Sequence, residues 1–147
     1  MAAAIVAAAA PASGARAETD LHWETVARGS QLGGDGDNGA YALITRTRAS
    51  ARHLGELIDR ASAERAAAVD FGRFGVLTVI RSFPTCGWSV RVRAVTRVRA
   101  TVRIAYAVLA PRKGTAACQA LTRGYEVVRV PLASLRGVSS VRPVAVR

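Results

Sequence analysis

From Trp88 to Tyr106, apolar and polar positions alternate with period two. Val90, Val92 and Ala94 alternate with Arg91 and Arg93, and Val98, Ala100, Val102, Ile104 and Tyr106 with Arg97, Arg99, Thr101 and Arg103. Two is the side-chain repeat of a β-strand, so the stretch predicts two strands, each with one apolar and one charged face. An antiparallel hairpin is expected to turn near Val95-Thr96-Arg97, although no Gly marks the place. Phe74 to Ser82 is a nearly continuous apolar run of the kind found in a central strand covered on both faces. Leu21 to Ala27 and Tyr41 to Thr47 read as earlier strands, separated by the flexible turn Gly33 to Gly39. Tyr125 to Pro131 and Val138 to Val146 supply late strands, and Pro143 puts the last at an edge.

One segment has a helical repeat instead. Leu54, Leu57, Ile58 and Ala61 recur at spacings of three, four and seven, with Ser50 as the expected N-cap and Glu56 and Arg60 paired at i,i+4. Gly55 weakens this helix by about 1 kcal/mol relative to Ala, so packing must hold it. The expected fold class is α+β, mainly β: an antiparallel sheet that can curl toward a barrel, with one helix packed on it.

Composition supports a folded β-rich chain. Val outnumbers Leu 18 to 10, and 15 of the Val lie from Val76 onward. The length of 147 residues suits one domain. Formal charge is +11, and 20 of the 21 basic residues are Arg. That excess reads as the codon bias of a GC-rich genome, which raises Ala, Gly and Val together. Charge therefore speaks to solubility and nonspecific attraction rather than to a particular partner.

The first 17 residues, MAAAIVAAAAPASGARA, read as a secretory signal peptide. An apolar run from Ala2 to Ala10 is broken by Pro11 and ends at the small-x-small site Ala15-Arg16-Ala17. The run is far shorter than the ~20 residues of a membrane span. No positive charge precedes it, as for a start internal to a longer gene; the alternative is an Ala-rich helix of the mature fold. The expected mature chain is Glu18 to Arg147, secreted or otherwise extracytoplasmic. In an oxidising compartment Cys86 and Cys118, the whole cysteine complement, read as a disulfide rather than as two unpaired thiols. Such a bridge stabilises by roughly 3–4 kcal/mol through the unfolded state.

Catalytic signatures are missing. The two histidines, His22 and His53, read as surface or boundary residues, and there is no Gly-x-Ser-x-Gly elbow, His-Glu-x-x-His helix or Gly-rich phosphate loop. The chain is expected not to be an enzyme, and no cofactor or metal is implied. The stretch Asp35-Gly36-Asp37-Asn38-Gly39 lacks the twelfth-position carboxylate of a calcium loop, which is Arg46 here, so it reads as a polar turn. Arg91, Arg93, Arg97, Arg99 and Arg103 form a candidate basic face for anionic cell-surface polymer. Specific nucleic-acid binding is not expected, because the face lacks interleaved aromatics. The most suggestive loop is Phe83 to Trp88, where Pro84 and Gly87 impose a turn and Trp88 projects a large ring. Trp88 reads equally as an exposed protein-binding anchor and as core.

These pieces together resemble a known family, the C-terminal domain of the protease-complex subunit PrcB. The resemblance rests on Val69-Asp70-Phe71, the strand Val76 to Ile80, and Pro84-Thr85-x-Gly87-Trp88 followed by alternating Val. Pro111-x-x-Gly114, Cys118-Gln119-Ala120-Leu121-Thr122 and Tyr125-x-x-Val128-x-Val130-Pro131 continue it, in matching order across about residues 65 to 132. Thr25-Val26-Ala27-Arg28-Gly29 adds a weaker match. Two positions depart: Cys86 stands where the family usually has Gly, and Gly124 where it usually has Pro. The resemblance implies that residues 18–147 form one such domain and that Cys86 and Cys118 join two neighbouring loops. It also implies a non-catalytic subunit that associates with a secreted protease complex and stabilises it. Pro84, Thr85, Gly87 and Trp88 are then the expected partner-binding loop. The same loop is similar to the wedge of chagasin-like inhibitors of papain-type proteases, which gives an alternative reading, although their Arg-Pro-Trp loop is missing. N-terminal sequencing of the exported protein is expected to begin at Glu18; a retained Met1 refutes the leader.

Overall fold

The longest apolar run becomes the centre of the molecule. In the computed structural model, which describes residues 17–34, 39–115 and 118–147, β1 is Thr19–Asp20, β2 Glu24–Leu32, β3 Ala40–Thr45, β4 Phe74–Phe83 and β5 Ser89–Val98. Then come β6 Thr101–Leu109, β7 Thr122–Pro131 and β8 Ser140–Val146. The helices are α1, Arg48–His53, and α2, Arg60–Ala67, joined through a 3-10 turn at Leu54–Glu56. One sheet has the order β2-β7-β4-β3 and the other β1-β5-β6-β8.

β4 and β7 are apolar at successive positions because both of their faces are covered. Val76, Ile80, Tyr125 and Val127 face Ala51, Leu54, Ile58, Ala63 and Ala66 of the helical layer. Leu77, Val79, Val128 and Val130 face Val90, Val92, Val95, Val102 and Ile104 of the second sheet. The result is three layers: helices, the β2-β7-β4-β3 sheet, and the β1-β5-β6-β8 sheet, whose outer face none of the described residues covers. The mainly β character and the central β4 are as the sequence predicts. The sheets do not close into a barrel, and β8 joins β6 in parallel, with Pro143 opposite Ile104 on an edge strand.

Two local expectations are corrected. The single helix is two short ones. Thr47, not Ser50, caps α1, its side chain accepting from the Ser50 amide at 3.1 Å. Asp59 caps α2 by accepting from the Ser62 amide at 2.9 Å. A side-chain oxygen that satisfies orphan amides starts a new helix, so Asp59 interrupts the continuous stripe. Ala61 is consequently exposed, and Arg60 pairs with Glu64 at 2.9 Å rather than with Glu56.

The second correction concerns the hairpin. Its turn falls at Arg99-Ala100, between paired Val98 and Thr101, and Arg99 takes a left-handed φ of 56°. A bulge between Val92 and Ala94 shifts β5 by one residue. The inward series is therefore Val90, Val92 and Val95, which moves the turn beyond the place that strict alternation marks.

Glu126 explains the bulge. Its side chain lies on the β7 face that carries Val128 and is 1% exposed. It accepts a hydrogen bond from the Val92 amide at 2.7 Å and another from Thr25 Oγ1 at 2.7 Å, with Arg28 at 3.7 Å. β2 is itself bulged between Thr25 and Ala27, so irregularities in two strands meet at one carboxylate. Replacing Glu126 by Ala leaves the Val92 amide buried without an acceptor. A loss of about 2–4 kcal/mol is expected in denaturant unfolding. Glu126→Gln, which retains an acceptor oxygen, is expected to lose less.

Candidate functional site

At one end of the two sheets, the turn between β4 and β5 meets the segment before β7. Phe83 is the last residue of β4 and is buried, and Trp88 stacks on its ring with centroids 5.7 Å apart and planes within 10°. The Trp88 indole N–H donates to Thr85 Oγ1 at 3.0 Å, which folds the intervening residues into a closed turn. Thr85 also accepts, through its carbonyl, from Thr122 Oγ1 at 2.9 Å. Trp88 is half-buried against the core between the sheets, and its ring also walls a cleft.

Cys86 and Cys118 are disulfide-bonded, with Cα atoms 5.2 Å apart, and the Cys86 amide donates to the Cys118 carbonyl at 3.2 Å. The bridge ties the Pro84-to-Trp88 turn to the strand-entry segment of β7. Between them lies a cleft of about 320 Å³, lined by Thr85, Cys86, Trp88, Pro111, Thr115, Cys118 and Gln119. None of these side chains is charged, so the cleft suits an apolar or neutral polar group.

Two glycines make this arrangement sterically possible. Gly87 has φ +88°, and a Cβ there would stand 2.9 Å from Pro111, so only Gly allows the turn to lie against the opposite wall. A Cβ on Gly124 would stand 2.9 Å from the Phe83 ring and 3.4 Å from Val90. Gly124 is thus the space into which the ring supporting Trp88 fits.

The rim is apolar as well. Leu32 is 70% exposed and Leu121 42%, two of the four exposed large hydrophobic residues of the described chain. They adjoin the turn: Leu32 pairs with Thr122, the Gly33 amide donates to the Leu121 carbonyl at 2.8 Å, and Thr122 bonds Thr85. Sequence reasoning missed both. Each lies outside the periodic segments, and only the strand pairing brings them beside residues 84–88. Arg81 was also missed; it lies 5.7 Å from the Phe83 ring centroid and donates to the Tyr106 hydroxyl at 3.2 Å.

The five arginines of the alternating segment do not share one surface. Arg97 donates to the carbonyls of Arg99 at 2.7 Å and Ser134 at 2.9 Å, so it fastens the hairpin end. Arg99 occupies the turn, Arg93 the bulge, and Arg91 is half-buried. Arg103 lies on the open face, 3.9 Å from Glu18. The bulge and the turn break the alternation that would have aligned them. The expected leader, apart from Ala17, and the Asp35-to-Asn38 part of the expected polar turn lie outside the described residues. No helix of the described chain is long and apolar enough to cross a membrane.

These features define a mainly β, two-sheet domain with a cross-linked loop pair at one end. The family model described as PrcB C-terminal matches residues 76–131, from within β4 to the end of β7. The chain therefore carries a PrcB C-terminal-like domain, and the matched segment contains the whole Phe83–Trp88 turn, both cysteines and Glu126. No curated protein and no solved structure matches the chain. Trp88→Ala removes the stack, the indole hydrogen bond and one wall of the cleft. About 3 kcal/mol of stability is expected to be lost in thermal or denaturant melting; an unchanged melt would show that the ring does not support the fold.

Proposed function

We propose that this protein is an exported, non-catalytic binding module that docks a partner protein through the end carrying Pro84, Thr85, Gly87, Trp88, Leu32 and Leu121. The partner we infer is a secreted protease or its pro-form, which the module accompanies as an accessory, stabilising subunit. One observation carries the reading. A disulfide ties two loops around an uncharged cleft, and exposed leucines stand beside it. Loops held in place before binding lose less conformational entropy on docking, and apolar side chains at a rim gain by being covered. The PrcB C-terminal match over residues 76–131 supports a protease-complex partner, and the disulfide is compatible with an extracytoplasmic location.

The basic face considered from sequence is a weaker basis for function. Arg97 is committed to carbonyls of its own chain, and the remaining arginines are spread over a bulge, a turn and an open face.

The test is affinity capture from culture fluid and envelope with the oxidised chain from Glu18 onward as bait. A Leu32→Asp/Leu121→Asp variant serves as control, since both positions are exposed and the fold is expected to tolerate the change. A protease or pro-protease enriched by the parent and reduced at least about tenfold by the variant is expected, as for loss of two interface contacts of about 1 kcal/mol each. Recovery of only salt-sensitive anionic material, equally from both baits, overturns the proposal.

A further inference from the structure

The outer face of the β1-β5-β6-β8 sheet is covered by none of the described residues, and its own residues are arranged in rows by the strand pairing. Asp20 pairs with Thr96, Thr96 with Arg103, and Arg103 with Arg142, giving a charged row that runs from one sheet edge to the other. The neighbouring row is apolar: Ala94 pairs with Ala105, and Ala105 with Val144, which is 42% exposed. Both rows line a single hollow of about 800 Å³. Carboxylates enter it from the β1 edge and guanidinium groups from the β6 and β8 side.

Within one chain these charges are only half satisfied. Glu18 accepts from Thr96 Oγ1 at 2.7 Å and lies 3.9 Å from Arg103. Asp20 and Arg142 have no hydrogen-bond or ion-pair partner among the described residues. They stand on opposite edge strands, three strand spacings or about 14 Å apart, so they cannot reach each other.

We infer that this face is a self-association surface whose occupant is a second copy of the same chain. A two-fold axis running parallel to the strands, between two facing sheets, places β1 of one copy over β8 of the other. Asp20 of each copy then meets Arg142 of its mate, twice per dimer, while the small Ala94 and Ala105 let the two sheets approach. An isologous contact requires a self-complementary patch, and acid at one edge with base at the other satisfies that requirement. The patch is smaller than the ~800 Å² per partner of a standard interface, so the dimer is a weak one. The repulsion from a net charge of +11 is screened beyond about 8 Å at physiological salt. An acidic partner protein or an anionic membrane fits the two arginines but leaves Asp20 facing like charge, which is why a second copy is favoured.

Sedimentation equilibrium at physiological salt, over concentrations up to the millimolar range, tests this with charge-swapped variants of exposed residues. The parent is expected to dimerise reversibly. Asp20→Arg and Arg142→Asp are each expected to raise the dimer dissociation constant at least about tenfold, because each turns two attractive pairs repulsive. The double variant Asp20→Arg/Arg142→Asp restores opposite charges and is expected to return to within about threefold of the parent. Circular dichroism melts confirm that each variant is folded. A parent monomeric throughout, a dimer indifferent to the single swaps, or no recovery in the double variant overturns the inference.

Discussion

The two sheets are joined through one buried carboxylate. Glu126 belongs to β7, in the sheet covered on both sides, and it accepts from the backbone of β5 in the other sheet and from the side chain of Thr25 on β2. A buried acceptor of this kind is costly unless it is fully partnered, and here the partners exist because β2 and β5 are both bulged beside it. The bulge then sets which residues of β5 turn inward. Val95 joins the core, and the hairpin turns at Arg99-Ala100. Everything on the open face, including the position of Arg103 opposite Arg142, follows from that one-residue shift.

The same sheet-to-sheet contact supports the loop end. Val90 enters β5 against Gly124 and Phe83, and Phe83 carries Trp88. The cleft is therefore built on the core and closed from outside by the disulfide. Gly87 and Gly124 give the space that this requires, one against Pro111 and the other beneath the Phe83 ring. A module that docks through this end presents a surface that is already ordered, which favours slow dissociation over a large interface.

Sequence periodicity made the strands legible, because alternating Val and Arg fits only a half-covered sheet, and the run in β4 fits only a doubly covered one. Capping and parity were harder to read. Asp59 has the residue type of an N-cap, but it follows Leu57-Ile58 in what looks like one continuous stripe, so the break between α1 and α2 was hidden. A bulge leaves no local signal when Val92-Arg93-Ala94-Val95 offers small or apolar residues to either parity. Glu126 could have been noticed: it alternates with Val128 and Val130 while Tyr125 and Val127 alternate on the other side, so neither face of the strand offered it solvent. The turn Pro84 to Trp88 and the two cysteines were legible as a group. Leu32 and Leu121 were not, since they reach the site only through pairing of strands distant in sequence.

Glu126 fastens the two sheets at the β5 bulge, and the exchange rate of the Val92 amide reads that contact. In hydrogen exchange followed by NMR, the Val92 amide, which donates to the Glu126 carboxylate at 2.7 Å, reports on that contact. Exchange is expected at the slow limit set by global unfolding, together with core amides of β4 and β7. Exchange at the rate of an exposed strand edge, while β4 and β7 remain protected, would contradict it.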